Sequence, residues 1–318
     1  MSVLVLTRIH AVMNPFASAT HGALQRWQSQ SPVVRGILLM CLSTVVFSIM
    51  HASVRFVSSD LPPFQIAFFR NLFGLAFLVP FLVGAGFAQL RTRRLGLHAV
   101  RGLVNVCAML MFFSSLAITP LATVTALSFT APIFAAVLSF LVLRERFQIY
   151  RWAAIIAGFV GMLIILRPGF VSIEFGAVLA AGAAALWAVA MIIIKILSRT
   201  DSSVAIVAWM GIFLCAFSIG PALWVWQTPT PSNLGWLAFI GLCGSIAQVS
   251  LSQSLKETEP TAVLPFDFLK LIWATALGVW FFGELPDALT YVGAAIIFSA
   301  SLFITFRERQ KARTARES

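Results

Sequence analysis

Acidic side chains are scarce in this chain: Asp and Glu together number 11 in 318 residues, and charged residues make up only 10%. A soluble domain carries roughly 25% charged residues, so this chain cannot cover itself for water. Cysteine is sparse too. Cys41, Cys107, Cys215 and Cys243 all fall in apolar segments and form no CxxC pair. They read as small buried apolar residues. A metal site needs clustered His, Cys or carboxylate ligands, and none occurs, so neither metal nor cofactor is expected. The chain also lacks the phosphate-cradling GxxxxGK(S/T) loop, H-E-x-x-H and G-x-S-x-G. ATP-driven work by this chain alone is therefore disfavoured. So is membrane-embedded catalysis, which gathers His, Asp, Glu or Ser near one interface. A membrane scaffold is the remaining alternative, and it would leave the chain's internal repeat unexplained.

What is present is apolar: 60% of the residues, including 29 Phe and 9 Trp, with mean hydropathy +0.95. These values describe an all-α integral membrane protein whose aromatics meet lipid tails and interfaces. The net charge of +11 points to the bilayer by its distribution. Lys and Arg cluster at 8, 26 and 35, at 91, 93, 94 and 101, at 144, 146 and 151, at 195 and 199, at 256, and at 307, 309, 311, 313 and 316. The connections between these clusters hold only Arg55 and Arg167, and Arg70 and Lys270 lie inside apolar runs. This is the positive-inside pattern, not a nucleic-acid face.

A bilayer core takes about 20 apolar residues per helix. The runs fall at 34–57, 63–83, 101–118, 121–143, 151–167, 174–197, 203–224, 234–255, 261–282 and 288–305. Leu61-Pro-Pro, Thr119-Pro120, Arg167-Pro-Gly, Thr228-Pro-Thr-Pro and Leu285-Pro286 interrupt them, because proline withholds a backbone donor. Ten spans put every basic connection and both termini on the cytoplasmic side, and the expected location is the bacterial inner (cytoplasmic) membrane. Residues 1–33 read as a cytoplasmic tail, with Met13 a second candidate start. Residues 308–318 read as a basic cytoplasmic tail.

The chain also repeats. Gly36, Phe47 and Arg55 recur as Gly176, Trp187 and Lys195; Pro120-Leu-Ala and Glu145 recur as Pro260-Thr-Ala and Glu284. All these matches share offsets of 139 to 140 residues. Two five-helix units, 34–169 and 174–307, follow. Five is odd, so the second unit enters the membrane inverted. Inverted repeats are a recurring plan of secondary transporters, with the site near the midplane.

Several stretches carry a family likeness. Pro63-Phe-Gln-Ile-Ala-Phe-Phe-Arg70, Ala131-Pro-Ile-Phe through Leu143-Arg-Glu145-Arg, Gly283-Glu284, and Gly158-Phe-Val-Gly161 through Arg167-Pro-Gly169 resemble the drug/metabolite transporter superfamily, specifically its EamA-type members. Arg144 stands where that pattern usually has glycine. The resemblance implies ten helices around a central cavity, and a secondary carrier of a small organic metabolite working by proton coupling or exchange. An Arg-Asn-Leu-Phe-like stretch in the second helix also occurs in proposed riboflavin and S-adenosylmethionine carriers, which adds those leads to amino acids. The partners this implies are a small-molecule substrate, the lipid bilayer and a second copy of the chain in a homodimer.

Charge inside a span costs about 2.5–3.5 kcal/mol on insertion scales, so such residues face a cavity or a partner. Arg70 is the first candidate, either binding an anionic group through its planar fork or snorkelling to the interface. Asp267 and Lys270 share a helix face at i and i+3. They are either a structural pair or a proton-coupling carboxylate with a substrate-binding cation, and Pro265 just before them loosens the helix. A free imidazole titrates near physiological pH, which makes His51 a second coupling candidate, against a solvated interfacial histidine. Asn105, Gln248, Ser128, Thr130 and Trp187 complete the substrate-binding set, against helix-to-helix bonding and packing. Arg70 and Lys270 together favour a substrate with an anionic or electron-rich part. Glu145 and Glu284 are expected to tie turns near the membrane surfaces.

Overall fold

The computed structural model describes residues 30–85, 92–143, 149–167, 174–201, 203–258 and 260–317. Among the described residues it is helical throughout: α1 Pro32–Val57, α2 Pro63–Ala85, α3 Leu95–Ile118, α4 Leu121–Ser128, α5 Ala131–Leu143, α6 Ile149–Leu166, α7 Phe175–Leu197, α8 Ser203–Trp224, α9 Pro231–Glu257, α10 Pro260–Asp267, α11 Leu269–Phe282 and α12 Ala288–Glu317. Seven stretches are long and apolar enough to cross a bilayer, among them Leu121–Val142 and Ala262–Phe282, each of which takes in two of these helices. Two shorter apolar helices, Trp152–Leu166 and Ala288–Ile304, and the 23-residue α2 complete the ten spans.

Local chemistry sets the ends. Ser31 caps α1 by accepting from the Val34 N–H at 3.3 Å, ahead of Pro32. Thr230 does the same for α9 from Asn233 at 3.2 Å, ahead of Pro231. An N-cap hydroxyl followed by proline is a favoured start, since proline lacks a donor that would be orphaned there anyway. Two expected spans are each broken in two. The run 121–143 divides at Phe129-Thr130, where Pro132 has no N–H for the carbonyl of Ser128. The run 261–282 divides at Phe268, just past Pro265. These breaks sit at equivalent places in the two repeats, 139 residues apart, and their phenylalanines meet with ring centroids 5.5 Å apart.

Two expected boundaries move. The third span begins at Leu95 rather than 101, so His98 and Arg101, read from sequence as connection residues, are buried in α3. The last helix runs on through Glu317, because Arg, Glu, Gln, Lys and Ala all favour helix. Most of the N-terminal tail, together with Arg144 and Glu145, lies outside the described residues.

Packing follows the duplication. α1 lies along α9 as α3 lies along α7, while α2 meets α8 and α6 meets α12. Ser254 Oγ donates to the Gly36 carbonyl at 2.6 Å, and its equivalent Ser115 donates to Gly176 at 2.7 Å. Lipid is as apolar as a leucine surface, so close van der Waals approach and hydrogen bonds between helices drive association. At the α6–α12 crossing, a Cβ on Gly161 would stand 2.8 Å from the Gly293 carbonyl oxygen. Only glycine lets these two backbones touch.

Candidate functional site

The break after α10 brings the second repeat's charges against the middle of α1. The Lys270 ammonium stands 2.5 Å from Asp267 Oδ1 and 5.2 Å above the Phe47 ring centroid. Ser48 Oγ donates to the Lys270 carbonyl at 3.3 Å, so the first turn of α11 is docked on α1. One helical turn beyond Phe47, His51 lies between two rings. It stacks on Phe47 with centroids 6.0 Å apart and meets Phe112 of α3 edge-on at 5.0 Å. Phe112 touches Trp187 of α7 at 4.9 Å. Phe47 and Trp187 are repeat equivalents, so the two halves offer matching rings from opposite sides.

Arg70 enters from α2. Its Nη1 donates to Asn71 Oδ1 at 3.1 Å, and its fork lies against Gly244 of α9 beside the Met50 sulfur. Met50, which meets Gly244 beside Arg70, directly precedes His51 in α1. Gln248 follows Gly244 by four residues and so shares its helix face. The structure thus gathers Arg70, Lys270, Asp267, His51 and Trp187, with Phe112 between the last two, into one central cluster from α1, α2, α3, α7 and the α10–α11 break.

The remaining candidates sit differently. Asn105 donates to the Arg101 carbonyl of its own helix at 3.0 Å. Ser128 and Thr130 each bond back to the carbonyl three residues before, both at 2.7 Å, and Thr130 is buried. These three polar groups serve their own backbones.

Polar ties close both ends of the bundle. Where α1 ends, Arg55 pairs with Glu284 and donates to the Leu116 and Thr119 carbonyls at 2.8 and 3.0 Å. Glu284 also accepts from the Leu121 N–H at 2.9 Å, and its turn is made by Gly283 at φ +66. At that end Arg167 pairs with Asp287, and Gln65 exchanges two hydrogen bonds with the Gln227 backbone at 2.6 and 3.0 Å. Where α1 begins, Arg35 pairs with Glu257 at 2.8 Å. There too, Asp201 Oδ2 binds Thr92 Oγ1 at 2.5 Å and His98 Nε2 at 2.7 Å. Those bonds, from Thr92 first and His98 next, hold the Asp201 carboxyl below the usual aspartate range. An open cleft of about 650 Å³ lined by Thr92, Arg93, Arg94, Thr200 and Asp201 lies at this end, away from the central cluster.

Sequence reading passed over several of these groups. Arg55 had a signal, its recurrence as Lys195 at the repeat offset. Asn71 appeared only as part of the Arg-Asn-Leu-Phe-like stretch, and Gly244 and the His98–Asp201 pair had no signal, because their contacts join residues more than a hundred positions apart. Among the described residues no group of three or more His, Cys, Asp or Glu could hold a metal ion.

Comparison with known proteins agrees with this architecture. Residues 34–167 and 174–306 each match the model of the EamA-like transporter family. The chain is 30% identical over 285 residues to the S-adenosylmethionine uptake transporter of Rickettsia prowazekii (strain Madrid E), covering 90% of this chain and 97% of that protein. It is 33% identical over 286 residues to the riboflavin transporter of Rhizobium johnstonii, covering 89% and 95%. It is 28% identical over 274 residues to the pseudopaline exporter CntI of Pseudomonas aeruginosa, covering 85% and 95%. A solved protein crystal structure shares the fold at TM-score 0.59 and 18% identity, over 88% of this chain and 98% of that one. With two copies of the family domain in one ten-span chain, this protein belongs to the EamA-like transporter family of the drug/metabolite transporter superfamily and is a multi-pass membrane transporter of small metabolites.

Proposed function

We propose that the protein is a secondary active carrier of the bacterial inner membrane, with both termini cytoplasmic, that moves its metabolite through the central cluster by alternating access. One observation carries this reading: the charged break of the second repeat, Asp267 with Lys270, packs on α1 of the first repeat beside His51 and Phe47. A site divided between two inverted halves changes its access when the halves rock. Arg70 and Lys270 bind the polar part of the substrate, and Trp187 with Phe47 and Phe112 its flat part. Gln248 supplies an amide, with Asn105, Ser128 and Thr130 placed to contribute once their helices shift. Asp267 is the coupling carboxylate, freed when substrate draws Lys270 away, and His51 is the neighbouring titratable group. The substrate leads are S-adenosylmethionine and riboflavin, from relatives that span nearly the whole chain, with amino acids third. The same architecture serves uptake and export, and relatives named for each direction match the chain.

The test is uptake of labelled S-adenosylmethionine and riboflavin into proteoliposomes, with and without an imposed pH gradient. Saturable uptake, lost in Asp267→Asn protein that inserts normally, is the expected result. Uptake of neither compound, or uptake unaffected by that variant, would remove these leads or this coupling role respectively.

A further inference from the structure

We infer that the transported compound carries an oxyanion, a carboxylate or a phosphate, and that this group docks on Arg70, which among the substrate leads favours S-adenosylmethionine and amino acids over riboflavin. The inference rests on the central cluster being the substrate site. Four cations of the bundle already have a carboxylate: Arg35 has Glu257, Arg55 has Glu284, Arg167 has Asp287 and Lys270 has Asp267. Arg101 has none, but its Nη1 donates to the Ile206 carbonyl at 2.8 Å and its Nη2 to the Met210 sulfur at 3.0 Å. Arg70 differs from all of them. Of its five N–H donors, the described residues engage one, through Asn71 Oδ1. Among the described residues no carboxylate pairs with it, and it lies inside an apolar helix, where an unpaired charge is costly. An anion that arrives with the substrate offsets that cost, and a neutral substrate does not.

The fork is also held in place. Asn71 is buried, and its Nδ2 reaches the Leu214 carbonyl and Ser218 Oγ of α8, both at 3.4 Å. Those contacts turn Oδ1 toward Arg70. On the other side, a Cβ on Gly244 would stand 2.9 Å from Arg70 Nε and 3.1 Å from Nη2. The absence of a side chain there lets the guanidinium lie against α9. Asn71 and Gly244 are therefore positioning residues, and what they position is a planar pair of donors that matches carboxylate or phosphate two bonds at a time. Lysine could supply the charge but not the fork. Lys270, already matched by Asp267, is not the first seat for the anion. The rings of Phe47, Phe112 and Trp187 are left for the rest of the molecule.

The test compares compounds that differ only by the oxyanion, using the purified full-length chain in lipid nanodiscs. S-adenosylmethionine is set against its decarboxylated form, and flavin mononucleotide against riboflavin. The first pair reads a carboxylate, the second a phosphate. In at least one pair the oxyanion-bearing member is expected to bind about tenfold tighter, the effect of charge-assisted hydrogen bonds, and the ratio to fall to about twofold in Arg70→Gln. Gly244→Ala, which keeps the charge but displaces the fork, is expected to reduce the same ratio, and Arg70→Lys to restore it only in part. Should Arg70→Gln fail to insert, the wild-type ratios and Gly244→Ala decide. Equal binding within every pair that binds, or a preference that survives Arg70→Gln, overturns the inference while leaving the carrier and its site in place. Binding of none of the four compounds removes both the inference and the proposed substrate leads.

Discussion

Asp267 and Lys270 show how far a single pair of residues can be read from spacing. Three positions apart in an expected helix, they share a face, and across the break at Phe268 the structure still holds them at 2.5 Å with the ammonium also over Phe47. Removing one partner leaves the other charge alone inside a span. Asp267→Asn and Lys270→Met are therefore each expected to destabilise more than the double variant does. Thermal unfolding of the four proteins should give a coupling of about 0.5–3 kcal/mol, and additive single effects would refute the pair's importance. Asp201 is a case that spacing could not reveal. Its carboxyl, whose ordinary value is 3.8, is lowered by bonds from Thr92 and His98. A carboxyl depressed in the folded state contributes stability above its unfolded value, and that contribution is lost as pH falls through the folded value. The acid limb of a stability–pH curve should therefore flatten in Asp201→Asn, measured below about pH 4, where ordinary aspartates take up protons. An unchanged acid limb would show that the bonds do not form in solution.

At the scale of elements, breaks and ends carry more chemistry than helix interiors. The turn after α11 depends on Gly283 at φ +66, which leads Glu284 to the α4 N-terminus and to Arg55. An L side chain in that left-handed region costs roughly 1–2 kcal/mol, so Gly283→Ala should lower the thermal midpoint of the purified protein. Glu284→Gln should lower it too. The change leaves Arg55 without its carboxylate beside the α3 carbonyls, worth about 1.5–3 kcal/mol for bonds to a charged group. Equal midpoints for wild type and Glu284→Gln would mean the tie is ornamental. The helix ends were legible where proline or a hydroxyl cap stood. The start of α3 was not, because Arg93, Arg94 and Arg101 look like one basic connection. Arg101 and His98 are buried all the same, since α8 and the turn before it supply a carbonyl and a carboxylate.

For the whole molecule, the scaffold is symmetric and the chemistry is not. Ser115 and Ser254 make the same bond to Gly176 and Gly36 at opposite ends of the bundle. Each Ser→Ala change should cost about 0.5–1.5 kcal/mol, and the double variant should show the sum, because well-separated sites add. A double variant much worse than the sum would indicate that the two ends are coupled. The equivalents of Arg70, Asp267 and Lys270 at the 139-residue offset are Trp209, Ser128 and Ala131, so only one half supplies each charge. Scaffold contacts repeat because packing requires them twice. A single central site needs each functional group once.

Sequence alone determined the membrane class, the ten spans, the duplication and the family, because hydropathy, charge distribution and a fixed offset are properties of the chain read in order. The Asp267–Lys270 pair belongs with these, being three positions apart in the sequence. Only the tertiary structure decided that His51 sits between Phe47 and Phe112, that Asn71 and Gly244 hold Arg70, and that Glu284 ties Arg55 to the start of α4. Those arrangements join different helices across the bundle, and such packing depends on shape and distance that no local pattern encodes.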